Sequence, residues 1–132
     1  MAAVPDPIFG LHADALSFQR RRMELLAGNI ANADTPGYQA RDLDFSKVLA
    51  AAQDPKVSST TTQPNHIPLD QATLDAATVY RTQLQPSADG NTVDLQVEQG
   101  QFADASLHYQ ASLSFIDGRL RALMTALSST QS

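Results

Sequence analysis

The chain has 132 residues, 42% hydrophobic and 17% charged, which is enough for one domain and argues against a two-domain enzyme. Aromatic residues make up only 6%, cysteine is absent and the formal charge is −5, which argues against a large catalytic cleft, thiol chemistry and binding to nucleic acid. No apolar run reaches the ~20 residues of a membrane helix, and no basic and apolar leader begins the chain. We therefore expect neither direct membrane insertion nor a cleaved signal peptide.

The first predicted element is an amphipathic helix over residues 10–32. Its apolar side chains recur with a period of ~3.6 residues, and they are Leu11, Ala15, Phe18, Leu25, Leu26 and Ile30. The apolar arc is wider than one partner helix covers, so we expect a second partner to pack on it. Arg20, Arg21 and Arg22 lack the interleaved aromatics of a nucleic-acid surface. We expect Arg20 and Arg21 to face solvent or acidic groups of a neighbouring chain, and Arg22 to lie along the apolar arc.

Two asparagines and a tight turn mark the end of this helix. Pro36 and Gly37 occupy the central positions of a predicted type II turn that ends at Tyr38, because proline fixes φ and glycine accepts a positive φ. Asn32 or Asp34 is suited to bond the last helical carbonyls or the turn backbone. Asn29 is a poor residue for a helix interior unless its amide reaches another backbone. A simple helix stop would therefore explain everything in this segment except Asn29.

The middle of the chain, residues 33–93, is predicted as a turn, one short helix and irregular structure. The short helix covers residues 46–53. Residues 54–70 are rich in Pro, Ser, Thr and Gln and are expected to be loop or disordered. Residues 78–84 are ambiguous between helix and extended chain, and β-branched Thr78 and Val79 favour the extended form. A turn at residues 89–91 then leads to the last helix.

The second long helix is predicted over residues 94–128, with Asp94 as its N-cap and Glu98 near its positive end. Its larger side chains follow the strict 4-3 spacing of a coiled-coil seam, and these positions are Phe102, Ser106, Tyr109, Leu113, Ile116, Leu120, Leu123 and Leu127. The sequence therefore predicts a mainly α fold in which the two terminal helices pack as an antiparallel coiled-coil pair around a loop-rich, partly disordered middle.

Neither a metal site, a cofactor site nor a catalytic site is predicted. His12, His66 and His108 have no spacing typical of metal ligands. Asp42 and Asp44 begin like a calcium loop, but the sixth position of that loop lacks the required glycine. The sequence thus favours a binding or structural protein over an enzyme.

Two segments resemble a known family. Residues 29–38, Asn-Ile-Ala-Asn-Ala-Asp-Thr-Pro-Gly-Tyr, followed by Ala-Arg-Asp-Leu-Asp-Phe at 40–45, resemble the N-terminal signature of bacterial flagellar basal-body rod proteins. Residues 86–98, Pro-Ser-Ala-Asp-Gly-Asn-Thr-Val-Asp-Leu-Gln-Val-Glu, are similar to a second signature of the same proteins, and residues 62–67 agree with it. Among rod proteins the short chain favours a proximal rod subunit.

The resemblance implies a structural subunit, a single domain over residues 1–132, that assembles helically around the export channel of the periplasmic rod. It would link the membrane ring and the export gate to the rest of the rod and transmit torque. Its implied partners are copies of itself, other flagellar rod proteins, a rod-to-membrane-ring adaptor and the flagellar export gate, and it would be exported uncleaved by the type III apparatus. The residues expected to act in assembly are Asn29, Asn32, Pro36, Gly37, Tyr38, Asn91, Val93, Tyr109, Leu113, Ile116, Leu120, Leu123 and Leu127.

One alternative from a different class remains open. A small helical adaptor or chaperone could bind a partner helix through the same 4-3 seam. Such a protein would need the helical periodicity but neither of the two signatures.

Overall fold

The computed structural model describes residues 7–53, 71–82 and 87–130. Its elements follow in the order α1 (Pro7–Ala31), β1 (Arg41–Leu43), α2 (Phe45–Gln53), α3 (Gln71–Ala76), β2 (Thr78–Tyr80) and α4 (Leu95–Ser129). The predicted mainly α fold with a long helix near each end is confirmed. The predicted loop at residues 54–70 lies outside the described residues.

Helices α1 and α4 run antiparallel and contact each other along most of α1. Near one end of the pair the His12 ring lies 4.1 Å from the ring of Phe115, and near the other end Asn29 bonds Glu98. These two contacts are 17 residues apart on each helix, so the helices keep one register throughout. That register brings Pro7 level with Leu120, and α4 continues beyond this level to Ser129.

The face of α4 that packs in the chain differs from the predicted seam. Its buried and half-buried positions include a line at Glu98, Phe102, Ala105, Tyr109, Ser112 and Ile116. Phe102, Tyr109 and Ile116 belong to the predicted seam, and the seam residue Ser106 is half-buried as well. At the next seam position Ser112 is half-buried, whereas the predicted Leu113 is exposed. The α4 face that packs in the chain is thus lined partly by small side chains, while Leu113 and Leu120 are exposed. A regular coiled coil between α1 and α4 therefore stays a prediction.

The described part of the middle contains more regular structure than predicted. Strands β1 and β2 pair antiparallel, with Arg41 opposite Tyr80 and Leu43 opposite Thr78. The extended form favoured for Thr78 and Val79 is confirmed, while β1 and α3 were not predicted. Each strand has only three residues, too few to show an alternating pattern in the sequence.

One small hydrophobic core joins the middle to α1. It contains Leu25, Leu43, Val48, Leu74 and Ala77, with Phe18 packed against it. Val48 comes from α2, which begins one residue before its predicted start and is capped by Asp44. The Asp44 carboxylate accepts bonds from the backbone of Ser46 and Lys47. Within the described ranges, no helix has both the length and the apolar character needed to cross a bilayer.

Candidate functional site

The end of α1 folds as the sequence predicts. Gly37 has a φ of +71°, and the amide of Tyr38 donates to the carbonyl of Thr35 at 3.2 Å, which closes the turn. The Asn32 side chain donates to the carbonyl of Gly28 at 2.8 Å, so it satisfies one of the last helical acceptors. The predicted roles of Gly37 in the turn and of Asn32 at the helix end are therefore confirmed.

A second turn, from the other signature, docks on the first. Gly90 has a φ of +75°, and the carbonyl of Asp89 accepts a bond from the amide of Gly37 at 2.9 Å. Asn91 is buried, and its side-chain amide faces the carbonyls of Asn32, Ala33 and Thr35 at 2.8–3.0 Å. Asn91 thus caps the C-terminal end of α1 from more than 50 residues away in the sequence.

The contact between the two segments continues along their backbones. The amide of Thr92 donates to the carbonyl of Tyr38 at 3.0 Å, and the hydroxyl of Thr92 accepts from the amide of Ala40 at 2.7 Å. The half-buried Val93 donates its amide to the Asn91 side chain. We call the contact between residues 29–42 and 87–98 the signature joint, because it brings together the two sequence segments that carry the family resemblance.

Asn29 lies at the centre of the signature joint and is fully buried. Its side-chain amide donates to the carbonyl of Arg41 at 2.7 Å and to the Glu98 carboxylate at 3.0 Å. Its side-chain oxygen accepts the amide of Arg41 at 2.9 Å and lies 3.4 Å from the Tyr38 hydroxyl. The carboxamide therefore pairs with both polar groups of the Arg41 backbone, as a neighbouring strand would. This explains why an asparagine occupies a helix interior.

Glu98 links the signature joint to a network of charged side chains. Its carboxylate is fully buried and pairs with Arg81. Arg81 also donates to Asp42 and Gln101, both at 2.8 Å, and Asp42 accepts a further bond from Arg22 at 3.2 Å. Two guanidinium groups and two carboxylates thus balance within the network, so its burial leaves no net charge.

The roles of Glu98 and Arg81 were not predicted from the sequence. Glu98 was assigned only a helix-end role, which its first-turn position allows, and burial could not be inferred from that position. One signal was present for Arg81, since it is the only arginine or lysine between Lys56 and Arg119. An isolated cation beside β-branched residues is a candidate partner for a buried acid, but the sequence does not say which acid.

The arginines of α1 are paired within the chain. Arg21 bonds Asp75 of α3 at 2.6 Å and Glu24 at 3.1 Å, so it does not depend on the acids of a neighbouring chain. Arg20 is largely exposed, as expected, with Glu24 at 3.6 Å. A polar surface depression of about 210 Å³ lies beside them and is lined also by Ser17 and Gln71. Across the described residues, no group of three or more potential metal ligands is found.

The structure leaves four of the eight predicted seam positions exposed on the surface of α4. Tyr109 and Ile116 are half-buried, whereas Leu113 is 44% exposed and Leu120 48% exposed. Leu123, Met124 and Leu127 are also exposed and lie past the level of Pro7. We call these exposed side chains the α4 apolar strip, and its members are Leu113, Leu120, Leu123, Met124 and Leu127.

Asp44, which caps α2, and Asp89, which lies in a turn, are expected to give the chain an acid-sensitive contribution to stability. A bond from the Ser46 hydroxyl lowers the pKa of Asp44, and a bond from the Ser87 hydroxyl lowers the pKa of Asp89. A lowered pKa in the folded state stabilises the chain above the unfolded pKa of about 3.8, and this stabilisation is lost as the pH falls through the folded pKa. We expect the free energy of unfolding, measured with a chemical denaturant, to decline between about pH 5 and pH 2.5. The decline should be shallower in the double variant Asp44→Asn, Asp89→Asn. An unchanged slope in that double variant would contradict these assignments.

Comparison with known proteins places the chain among flagellar proteins. A family model described as "Flagella basal body rod protein" matches residues 11–39. The chain is 47% identical over 131 residues to the flagellar basal body rod protein FlgB of Escherichia coli (strain K12), covering 94% of this chain and 95% of that relative. It is 45% identical over 133 residues to FlgB of Aeromonas hydrophila, covering 99% and 100%. It is 43% identical to FlgB of Salmonella typhimurium, covering 92% and 94%. These matches confirm the resemblance inferred from the two signatures.

Proposed function

The chain belongs to the FlgB family of flagellar basal body rod proteins, which are structural subunits of the rod. We propose that it acts in the rod as follows. It is not an enzyme. It assembles helically around the export channel with copies of itself and with other rod proteins. In the periplasmic rod it links the membrane ring and the export gate to the rest of the rod, and it transmits torque.

The α4 apolar strip is the observation that carries this proposal. Five large apolar side chains on one helix, each at least 44% exposed, are costly to leave in water. Repeated contacts between subunits that do not close into a ring produce a helical tube, which would cover the strip in every subunit but those at the ends. The leucines Leu113, Leu120, Leu123 and Leu127 then act in assembly, as the 4-3 spacing predicted.

The signature joint supports a mechanical role. Asn29 and Asn91 use their amides inside the chain, so we propose that they act in assembly indirectly, by fixing the angle between the end of α1 and the start of α4. Pro36 and Gly37 are exposed on the same turn and are free to meet a neighbour. A subunit that transmits torque needs such a fixed angle, because a flexible joint would absorb the rotation.

We extend the proposal to the partners that family membership suggests. These are the rod-to-membrane-ring adaptor and the flagellar export gate, on the inner side of the proximal rod. The subunit reaches this place through the type III export apparatus without cleavage of a signal peptide.

Replacing Leu120 by aspartate tests the proposal. Because Leu120 is 48% exposed, a charge there costs little in the isolated subunit, and the free energy of unfolding should fall by less than about 1 kcal/mol. In the packed rod the same charge would be buried without a partner, at a cost of several kcal/mol. We expect cells whose only copy is Leu120→Asp to be non-motile, with no rod density beyond the membrane ring in electron micrographs of purified basal bodies.

Leu107→Asp is the matched control. Leu107 is 64% exposed on the same helix, about 140° around from Leu120, and lies outside the α4 apolar strip. Cells that carry only Leu107→Asp should build normal rods and swim normally. Complete rods in the Leu120→Asp strain, or equal defects in both strains, would refute the assigned surface.

A further inference from the structure

The last part of α4, which we call the overhang, comprises residues 120–129 and continues the packed face of the helix. On that face the buried and half-buried positions advance by steps of three or four residues as far as Ile116. Steps of the same size lead on from Ile116 to Leu120, Leu123 and Leu127. Every residue of the overhang is exposed. The face that packs in the chain therefore extends, with leucines on it, past the elements that cover it.

The covered part of this face shows what kind of element fits it. Along residues 98–116 of α4 the main partner is the antiparallel helix α1. Side chains three and four residues apart form a ridge that the groove of another helix receives. α1 does not supply the cover for the overhang, because it begins at Pro7, level with Leu120. Proline suits the first turn of a helix and is disfavoured inside one, so the sequence itself fixes this start.

Two arginines flank the leucines of the overhang. Arg119 and Arg121 come directly before and after Leu120, so each lies about 100° around the helix from it, on opposite sides. Residues 118–129 contain no acidic residue, and the pair of Arg121 with Asp117 is exposed to water, which weakens it. An apolar ridge with cations on both sides favours a helix that has its own apolar ridge and carboxylates beside it.

We propose that the overhang binds an amphipathic helix of an adjoining rod subunit, which lies end to end with α1 and continues its line along α4. The inference rests on the proposed function, because it names what covers the far end of the α4 apolar strip. The incoming helix packs apolar side chains on Leu123 and Leu127 and places carboxylates near Arg119 and Arg121. A single α4 then holds two helices from two different chains. Such a contact joins unlike surfaces and can repeat without closing into a ring.

Thiol labelling in purified basal bodies tests which side of the overhang is covered. The chain has no cysteine, so Leu123→Cys and Thr125→Cys each place one thiol on it, about 200° apart around α4. Thr125→Cys is the matched control on the opposite side of the same turn. In basal bodies from cells that carry only the variant chain, a maleimide should label Thr125→Cys at least about tenfold faster than Leu123→Cys. After unfolding in urea the two rates should be equal.

A photoreactive phenylalanine analogue at residue 123 or 127 identifies the covering element. After irradiation of assembled basal bodies, both positions should capture one segment of another rod subunit, at residues three or four apart in that segment, whereas residue 125 should not capture it. Capture of the residues before Pro7 in the same chain, capture of a loop or strand, or equal labelling of the two thiols in the assembled rod would each refute this assignment.

Failure of the inference is distinguishable from failure of the proposed function. If Leu120→Asp abolishes the rod but the thiols at residues 123 and 125 react equally, the strip acts in assembly and no helix continues the line of α1. If Leu120→Asp leaves complete rods, the proposed function fails, and the inference that rests on it fails as well.

Discussion

Replacing Arg81 by methionine is expected to lower the free energy of unfolding by about 3–5 kcal/mol, because it leaves a buried carboxylate without its cation. Glu98 is fully buried, and among the described residues Arg81 is the one cation that pairs with it. Methionine keeps much of the apolar stem of arginine, so the change mainly removes charge and hydrogen bonds. Urea unfolding followed by circular dichroism at about pH 7 measures the effect.

Two further variants separate the effect of the unpaired Glu98 charge from the loss of the other contacts of Arg81. Adding Glu98→Gln to Arg81→Met should restore most of the stability, since glutamine is neutral and can still accept the bond from Asn29. Arg121→Met removes a cation whose partner, Asp117, is exposed, and should cost less than about 1 kcal/mol. If Arg81→Met were no worse than Arg121→Met, or if Glu98→Gln gave no rescue, the buried pair would not be what stabilises the signature joint.

Features set by neighbouring residues could be predicted from the sequence. The cap at Asp94, the positive φ at Gly37 and the helix that ends at Gln53 each follow from residue types within a few positions of one another. The prediction that the Asn29 amide bonds another backbone segment was also correct, although the sequence did not identify Arg41 as the partner.

Features set by distant residues could not be predicted. The pairing of Arg81 with Glu98 depends on the position of the end of β2 relative to α4, and no local sequence pattern predicts that position. The same holds for the packed face of α4. Its 4-3 spacing was evident, but which positions are buried, Ala105 rather than Leu113, depends on the element that packs against α4. An apolar seam in a sequence therefore shows that a helix has partners without showing which partner covers which side.

Asn29→Asp is expected to destabilise the chain at neutral pH by about 3–5 kcal/mol, although the two side chains have nearly the same shape. In this variant the Asn29 amide, which donates to Glu98 at 3.0 Å, is replaced by a second carboxylate in a fully buried site. The carbonyl of Arg41 loses the same donor. Two adjacent carboxylates cannot both ionise at low cost, so the pKa of the introduced aspartate should rise above its value in the unfolded chain.

The sign of the pH dependence distinguishes this cause from a simple loss of packing. A carboxyl group with a raised folded-state pKa costs stability above that pKa, and the cost is removed as the pH falls through it. The deficit of Asn29→Asp relative to the unaltered chain should therefore shrink between about pH 7.5 and pH 5, as a shared proton restores a donor between the two groups. Asn32→Asp is the control, because Asn32 is only half-buried and its amide bonds the carbonyl of Gly28 rather than a carboxylate. Its deficit should be smaller and nearly constant over the same range. Parallel pH profiles for the two variants in urea unfolding would mean that Asn29 acts through shape alone, and that the bond between Asn29 and Glu98 contributes little to joining the two signatures.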